Sequence, residues 1–308
     1  MDGIYYRICA TPEQRMVAME TGAVDLALAD DIDTVVNSRL VANPNLVARA
    51  DAYNGTGEIR VMELNQRRWP FGDRRFRAAF LHALDREFMV KAINFGEGKV
   101  AHGPIPSTAP YYDDKVLTKY HHDPAKARAL LDEMGLKPKL GGVRHRFGLM
   151  MVPDGGGAWT RGAQYVKQAL SEVGLAAELE TTDWPTFSRR SGNWDFDCDT
   201  NSYGEYGDPA IGTSRFFLTS NIRKGVPLTN LQGYSNLEVD RLLGQAAVAI
   251  DRAEAQTHYS RLQQILTHDA AMLWMYERKP LLFHNRRLKN VVMGPNGPAD
   301  GFGAVTRA

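Results

Sequence analysis

The sequence has few cysteines, almost no net charge and no long apolar run, and each shortage excludes something. Two cysteines, Cys9 and Cys198, stand far apart in 308 residues and in no metal-ligand spacing, so both read as ordinary small apolar residues. Lysine plus arginine number 37 against 36 acids, a net charge of +1, and no basic stripe interleaves with aromatics; nucleic acid is not the expected partner. No apolar stretch approaches the roughly 18 residues of a membrane span. The opening Met1-Asp-Gly-Ile-Tyr-Tyr-Arg7 lacks the basic, apolar and small-residue sections of a signal peptide. Motifs of reaction chemistry are missing too. There is no HExxH, and His121 and His122 are adjacent, which points them in different directions. Neither a G-x-S-x-G elbow, a GxxxxGK[ST] loop nor a GxGxxG after a strand occurs, and the triple glycine at 155–157 lacks the lysine and hydroxyl of a phosphate cradle. Acid pairs such as Asp113–Asp114 and Asp195/Asp197 read as solvated turn acids. The expectation is a non-enzyme with no metal and no cofactor, and a neutral or small ligand.

What is present fits a two-lobed α/β protein, since 308 residues exceed what one core supports and 44% are apolar. Thr11, Pro12 and Gln14 mark a helix start and Gly22 its end, followed by a strand at 24–28. A second strand is expected at Ile59–Leu64, and Pro70 and Gly72 then break the chain, where a lobe crossing is placed. A long helix is expected from the cap Asp73 to about Asn94, with Gly96 beyond its end. The proline-rich GPIPSTAPYYDD should wander over the surface. Asp123–Pro124 opens a helix that Gly135 stops, and Phe147–Val152 reads as a strand leading into PDGGGA. A helix at 160–173, a strand at 176–180, and helices capped by Asn236 and Asp251 follow. The alternation favours a partly parallel sheet, and a crossing back is expected near Tyr276–Phe283.

One region stands out. Between 183 and 217 lie Trp184, Trp194, Tyr203, Glu205, Tyr206, Phe216 and Phe217, and aromatic walls with few polar anchors are how pockets are built. In SYGEYGDP, from Ser202 to Pro209, Glu205 sits between two tyrosines and two glycines in a segment that must turn.

The stretch LNQRRWPFGDRRFRAAFLHALDREFMVKAINFGEGKVAHGPIP, from Leu64 to Pro106, resembles the signature of the family 5 extracellular solute-binding proteins, the peptide-binding subunits of ABC importers. METGAVDLA, HHDPAKARALLDEMGL, DWPTF and GYSNLEVDRLL support it in the family's order. The resemblance implies a type II periplasmic-binding-protein fold: two α/β lobes joined by paired crossings and closing on a ligand. Because members are commonly longer, it also implies that residues 1–64 are a remnant of the first lobe, 65–279 the second lobe, and 280–308 a return segment. Weaker binding than in a form extended upstream is expected accordingly. Aligned on Asp208–Pro209, Glu205 takes the place of the acid that pairs with a peptide's amino terminus. Tyr203 and Trp184 take the place of cleft aromatics, and Tyr206 and Asp208 beside them are expected to be ligand-binding residues as well. The acid is Glu rather than Asp, and the VPDGGGA loop lacks the arginine that dipeptide-specific members offer to a carboxylate, so strict dipeptide binding is not expected. The resemblance thus implies a monomeric periplasmic or extracellular receptor whose partners are a peptide and a membrane permease. The alternatives are a non-peptide solute such as an oligosaccharide, an opine or a metal chelate, or an intracellular ligand-sensing regulatory module.

Overall fold

The computed structural model describes residues 3–28, 34–51, 56–152, 157–294 and 297–307. Helix α1 (Pro12–Glu20) begins where the Thr11 hydroxyl accepts the Gln14 N–H at 3.3 Å, while the Gln14 side-chain oxygen accepts the Ala10 N–H at 3.0 Å. Strand β1 (Leu26–Ala27) is shorter than the expected 24–28. Helix α2 (Asn37–Val41) and strand β2 (Leu46–Arg49) precede β3 (Ile59–Leu64). Next come α3 (Arg74–Ala83), α4 (Arg86–Phe88), β4 (Lys99–Val100), α5 (Pro124–Glu133), β5 (His145–Met151) and α6 (Ala158–Ser171). The chain continues through β6 (Leu175–Thr181), α7 (Trp184–Gly192), β7 (Cys198–Tyr203), α8 (Gly212–Phe217), α9 (Leu237–Val248) and α10 (Arg252–His268). It ends with β8 (Leu273–Glu277), β9 (Leu282–Asn285), β10 (Leu288–Lys289) and β11 (Thr306–Arg307).

The strands form a six-stranded sheet in the order β4-β8-β3-β7-β5-β6, a three-stranded sheet β1-β9-β2 and the pair β10-β11. In the large sheet β7, β5 and β6 are parallel, as the βα alternation leads one to expect, and the rest pair antiparallel. Alternation along β3 splits its side chains between two cores. Met62 and Leu64 join Phe76, Phe80, Leu131 and Val166 beneath α3, α5 and α6, while Ile59 and Val61 join Phe217, Leu242, Leu262 and Trp274 beneath α9 and α10. Met19, Leu40, Leu46 and Phe283 pack against the small sheet as a separate cluster.

The chain passes between the sheets twice. The return runs from β8 to β9 within the expected stretch. The outward passage lies between Arg49 and Ile59, ahead of the position expected from Pro70 and Gly72, because β3 already pairs inside the large sheet. Arg278 ties the passages together: its N–H reaches the Glu58 carbonyl at 3.0 Å and its guanidinium the Glu58 carboxylate at 2.9 Å.

Two further expectations need correction. The helix expected from Asp73 to Asn94 is broken at Leu84, whose ψ of 126° is extended, and Asp85 caps a new turn by accepting the Phe88 N–H at 2.8 Å. The Tyr165 hydroxyl sits in the break, accepting the Asp85 N–H at 2.8 Å and donating to its carbonyl at 3.1 Å. The helix resumes with a π-helical turn, Met89–Ile93, and Gly96 follows with φ 80°. The proline-rich segment runs over the surface only in part, for Gly103–Pro106 are buried, as is Ala101 before them, while residues 107–114 are half-buried or exposed. Buried carbonyls need donors, and two remote side chains supply them: Arg86 reaches Ala101 at 2.7 Å and the Tyr203 hydroxyl reaches Pro104 at 2.5 Å.

Asp73 does cap α3, accepting the Arg75 N–H at 2.8 Å, and its ion pair with Arg75 at 2.7 Å holds its carboxyl below the usual range. Asp73→Ala is expected to cost about 0.5–2 kcal/mol, measured by chemical denaturation. An unchanged unfolding midpoint would show that the cap contributes nothing.

Candidate functional site

Strand β7 leaves the sheet at Tyr203 and turns sharply before α8. The N–H groups of Glu205 and Tyr206 both donate to the Thr56 carbonyl, at 2.6 and 3.2 Å, which joins the turn to the outward passage between the sheets. Tyr206 and Gly207 follow with φ of 55° and 83°, and the Asp208 N–H returns to the Glu205 carbonyl at 3.3 Å. Asp208 then starts α8: its carboxylate accepts the Ala210 N–H at 2.8 Å and its carbonyl accepts from Ile211 and Gly212 at 2.9 and 3.2 Å.

This geometry folds Glu205 inward. Its side chain is fully buried, with Thr213 Oγ1 at 3.1 Å from each carboxyl oxygen. Gly212 makes the arrangement possible, since a Cβ there would stand 2.5 Å from both the Glu205 Cα and its Oε2. Among the described residues no lysine, arginine or histidine pairs with this carboxyl. Burial pushes it up to about 8, the Thr213 hydrogen bond pulling back and the Asp208 charge adding to the rise. Near neutrality Glu205 therefore holds a proton, and a cation brought against it would favour its ionised form.

The other expected site residues divide. Asp208 adjoins Glu205, and its carboxylate also accepts from the Tyr259 hydroxyl at 3.5 Å. Tyr206 is exposed on the turn. Trp184 is half exposed as the first residue of α7, stacked on Phe187 at 5.7 Å, and makes no hydrogen bond or ring contact with the Glu205 group. Tyr203 lies in the core beside this turn: it is buried, 4.8 Å from the Phe216 ring, and its hydroxyl donates to the Pro104 carbonyl while accepting from Trp274 Nε1 at 3.3 Å.

Sequence reasoning missed Thr213, Gly212 and Thr56, because a threonine eight positions on and a carbonyl from the passage between the sheets carry no sequence signal. It also missed the cations at this end of the sheet. The Arg60 guanidinium lies 4.1 Å over the Trp159 ring and 3.2 Å from the Glu58 carboxylate, which Arg278 shares. The glycine loop at 153–156, singled out for its lack of arginine, lies outside the described residues.

The comparisons with known proteins agree with this architecture. The family profile of the bacterial extracellular solute-binding proteins, family 5 (middle), matches residues 1–224. A "Probable D,D-dipeptide-binding periplasmic protein" of Escherichia coli is 27% identical over 290 residues, covering 94% of this chain and 53% of that protein. Two solved structures are similar in fold. The oligopeptide-binding protein of Bacillus subtilis in complex with a nonapeptide superposes with a TM-score of 0.86 at 21% identity, over 98% of this chain and 60% of that one. An ABC transporter-associated periplasmic binding protein of Helicobacter pylori in complex with the peptide STSA gives 0.84 at 20%, over 98% and 56%. The chain thus spans about half the length of the curated relatives it matches, and its fold is that of the type II periplasmic binding proteins, two α/β lobes with paired crossings. By this match the chain belongs to the bacterial extracellular solute-binding proteins, family 5.

Proposed function

We propose that the chain is the ligand-binding part of an ABC importer's receptor, capturing peptides outside the cytoplasm and delivering them to a membrane permease, without chemistry of its own. Glu205 holds the ligand's cationic group, most simply a peptide's amino terminus, with Tyr206, exposed on the same turn, as an apolar neighbour. The observation that carries this reading is the buried Glu205 carboxyl, which has the Thr213 hydroxyl and, among the described residues, no cation as partner. A buried acid without a counter-charge is costly, and functional sites are where such groups collect. Family membership and the peptide-binding relatives support the ligand class.

A peptide's main chain held like an added strand gives affinity that ignores side-chain identity. With no arginine in the 153–156 loop, longer peptides lose nothing relative to dipeptides. Calorimetry with unmodified di- to pentapeptides tests this: tri- to pentapeptides should bind at least as tightly as dipeptides. Binding of dipeptides alone would overturn the length preference, and binding of none would overturn the peptide reading in favour of another solute.

A further inference from the structure

Two more carboxyls lie in the middle of the large sheet, remote from any motif. Glu63 on β3 and Asp199 on β7 are direct partners in the antiparallel ladder, and both side chains are fully buried. Directly opposed side chains have Cβ atoms about 4.5–5.5 Å apart on one face of the sheet. Glu63 Oε2 accepts from Asn201 Nδ2 at 2.6 Å. Glu63 Oε1 and both Asp199 oxygens have no hydrogen-bond partner among the described residues.

The surroundings supply no counter-charge. On β5, Met150 stands opposite Asp199 and packs with Phe187 of α7, Phe196 and Leu231. On the same face of the sheet, β8 contributes Trp274, opposite Val61. The titratable neighbours are Cys198 and Asp197, both anionic when they ionise, and Asp197 is already paired with Arg68 at 2.8 Å. Two bare carboxylates facing each other in an apolar layer would repel with nothing to offset them, whereas one proton removes a charge and gives an orphaned oxygen a donor.

We propose that Glu63 and Asp199 share a proton across the β3–β7 ladder, making the sheet that carries the Glu205 turn a proton-dependent element, tighter in acid and looser in base. Burial, the first cause for both, raises Glu63 to about 7 and Asp199 well above the carboxylate range, the Glu63 charge adding to the latter. A carboxyl raised on folding stays protonated after the unfolded chain has released its proton near pH 4. Its contribution is therefore full at low pH and falls as pH rises from about 4 through the folded value. Asp199 is shifted in the same direction and adds to this fall. His82, His102 and His145 are pushed down by burial and act in the opposite sense, a contribution common to the proteins compared below.

The test is the unfolding equilibrium between pH 5 and 7, below the range of Cys198 and the tyrosines, in a Glu205→Gln background that removes the third raised carboxyl, compared with and without Glu63→Gln so that the histidines common to both proteins cancel. Each retained proton should make unfolding about tenfold more favourable per pH unit. Adding Glu63→Gln should flatten the profile, because the amide donates permanently to Asp199. An unchanged slope in that variant would overturn the proposal. Should Glu63→Gln fail to fold, infrared spectroscopy of the Glu205→Gln protein decides: a protonated-carboxyl band at pH 6 is expected, where ordinary carboxyls are ionised, and its absence would equally overturn the shared proton.

Discussion

Replacing Glu205 with glutamine is expected to weaken peptide binding tenfold to a hundredfold while leaving the fold nearly untouched. The amide fits the same space beside Gly212 and keeps its partner Thr213, so packing is preserved. What disappears is the negative charge, and a charge-assisted hydrogen bond contributes roughly 1.5–3 kcal/mol. The pH dependence has a definite sign. In the free protein Glu205 titrates near 8, so below that value an incoming ammonium must displace its proton. Affinity should therefore rise about tenfold per pH unit from pH 6 toward 8, and this rise should vanish in Glu205→Gln. Calorimetry across this range checks both effects, and a pH-independent wild-type affinity would count against a proton held at Glu205.

The second large effect is on stability. Arg86 is almost completely buried, and burial pushes its guanidinium down to about 10. It is nonetheless fully used, donating to the carbonyls of Ala101 and Trp274 at 2.7 Å each and of Tyr120 at 2.6 Å. Arg86→Ala strips three buried carbonyls of charge-assisted donors at about 1–3 kcal/mol each, so a loss of at least about 3 kcal/mol is expected in chemical denaturation. The segment it anchors includes Pro104, on which the Tyr203 hydroxyl rests, so the Glu205 turn should loosen too. A loss under about 1 kcal/mol would mean that water replaces the guanidinium and that the anchoring account is wrong.

Arg86 and Arg77 also explain the most recognisable stretch of the sequence. Arg77 donates to the carbonyls of Phe71, Gly72, Ala270 and Asp269, all at 2.9 Å, and so joins the start of α3 to the end of α10. The block from Leu64 to Pro106 is distinctive because it builds the lobe. Its Arg77 and Arg86 serve as internal staples, and Glu205, the residue proposed to meet the ligand, lies well downstream of it.

Local features were legible. Thr11, Asp73, Asp123, Asn236 and Asp251 all cap helices where the sequence places them, since a cap depends on a few neighbouring residues. The break at Leu84 was hidden because the apolar periodicity of α3 runs on through it, and Asp85 looks like any helix-surface acid until the Tyr165 hydroxyl arrives from α6. The buried part of the proline-rich segment was misread for a related reason: its donors lie far away in sequence. In the candidate site, the acid and its turn were legible from SYGEYGDP, but its burial was not. That burial is made by the Thr56 carbonyl from the outward passage and by the close approach of Gly212, and neither is a property of residue type.

The central claim is that the Glu205 carboxylate receives a ligand's cationic group. It is tested most directly by titrating the wild-type protein and Glu205→Gln with one peptide carrying either a free or an acetylated amino terminus. Wild type should prefer the free amine by tenfold or more, and the variant should lose most of that preference. If both proteins treat the two peptides alike, Glu205 is a buried turn residue, and the ligand is not held there by its amine.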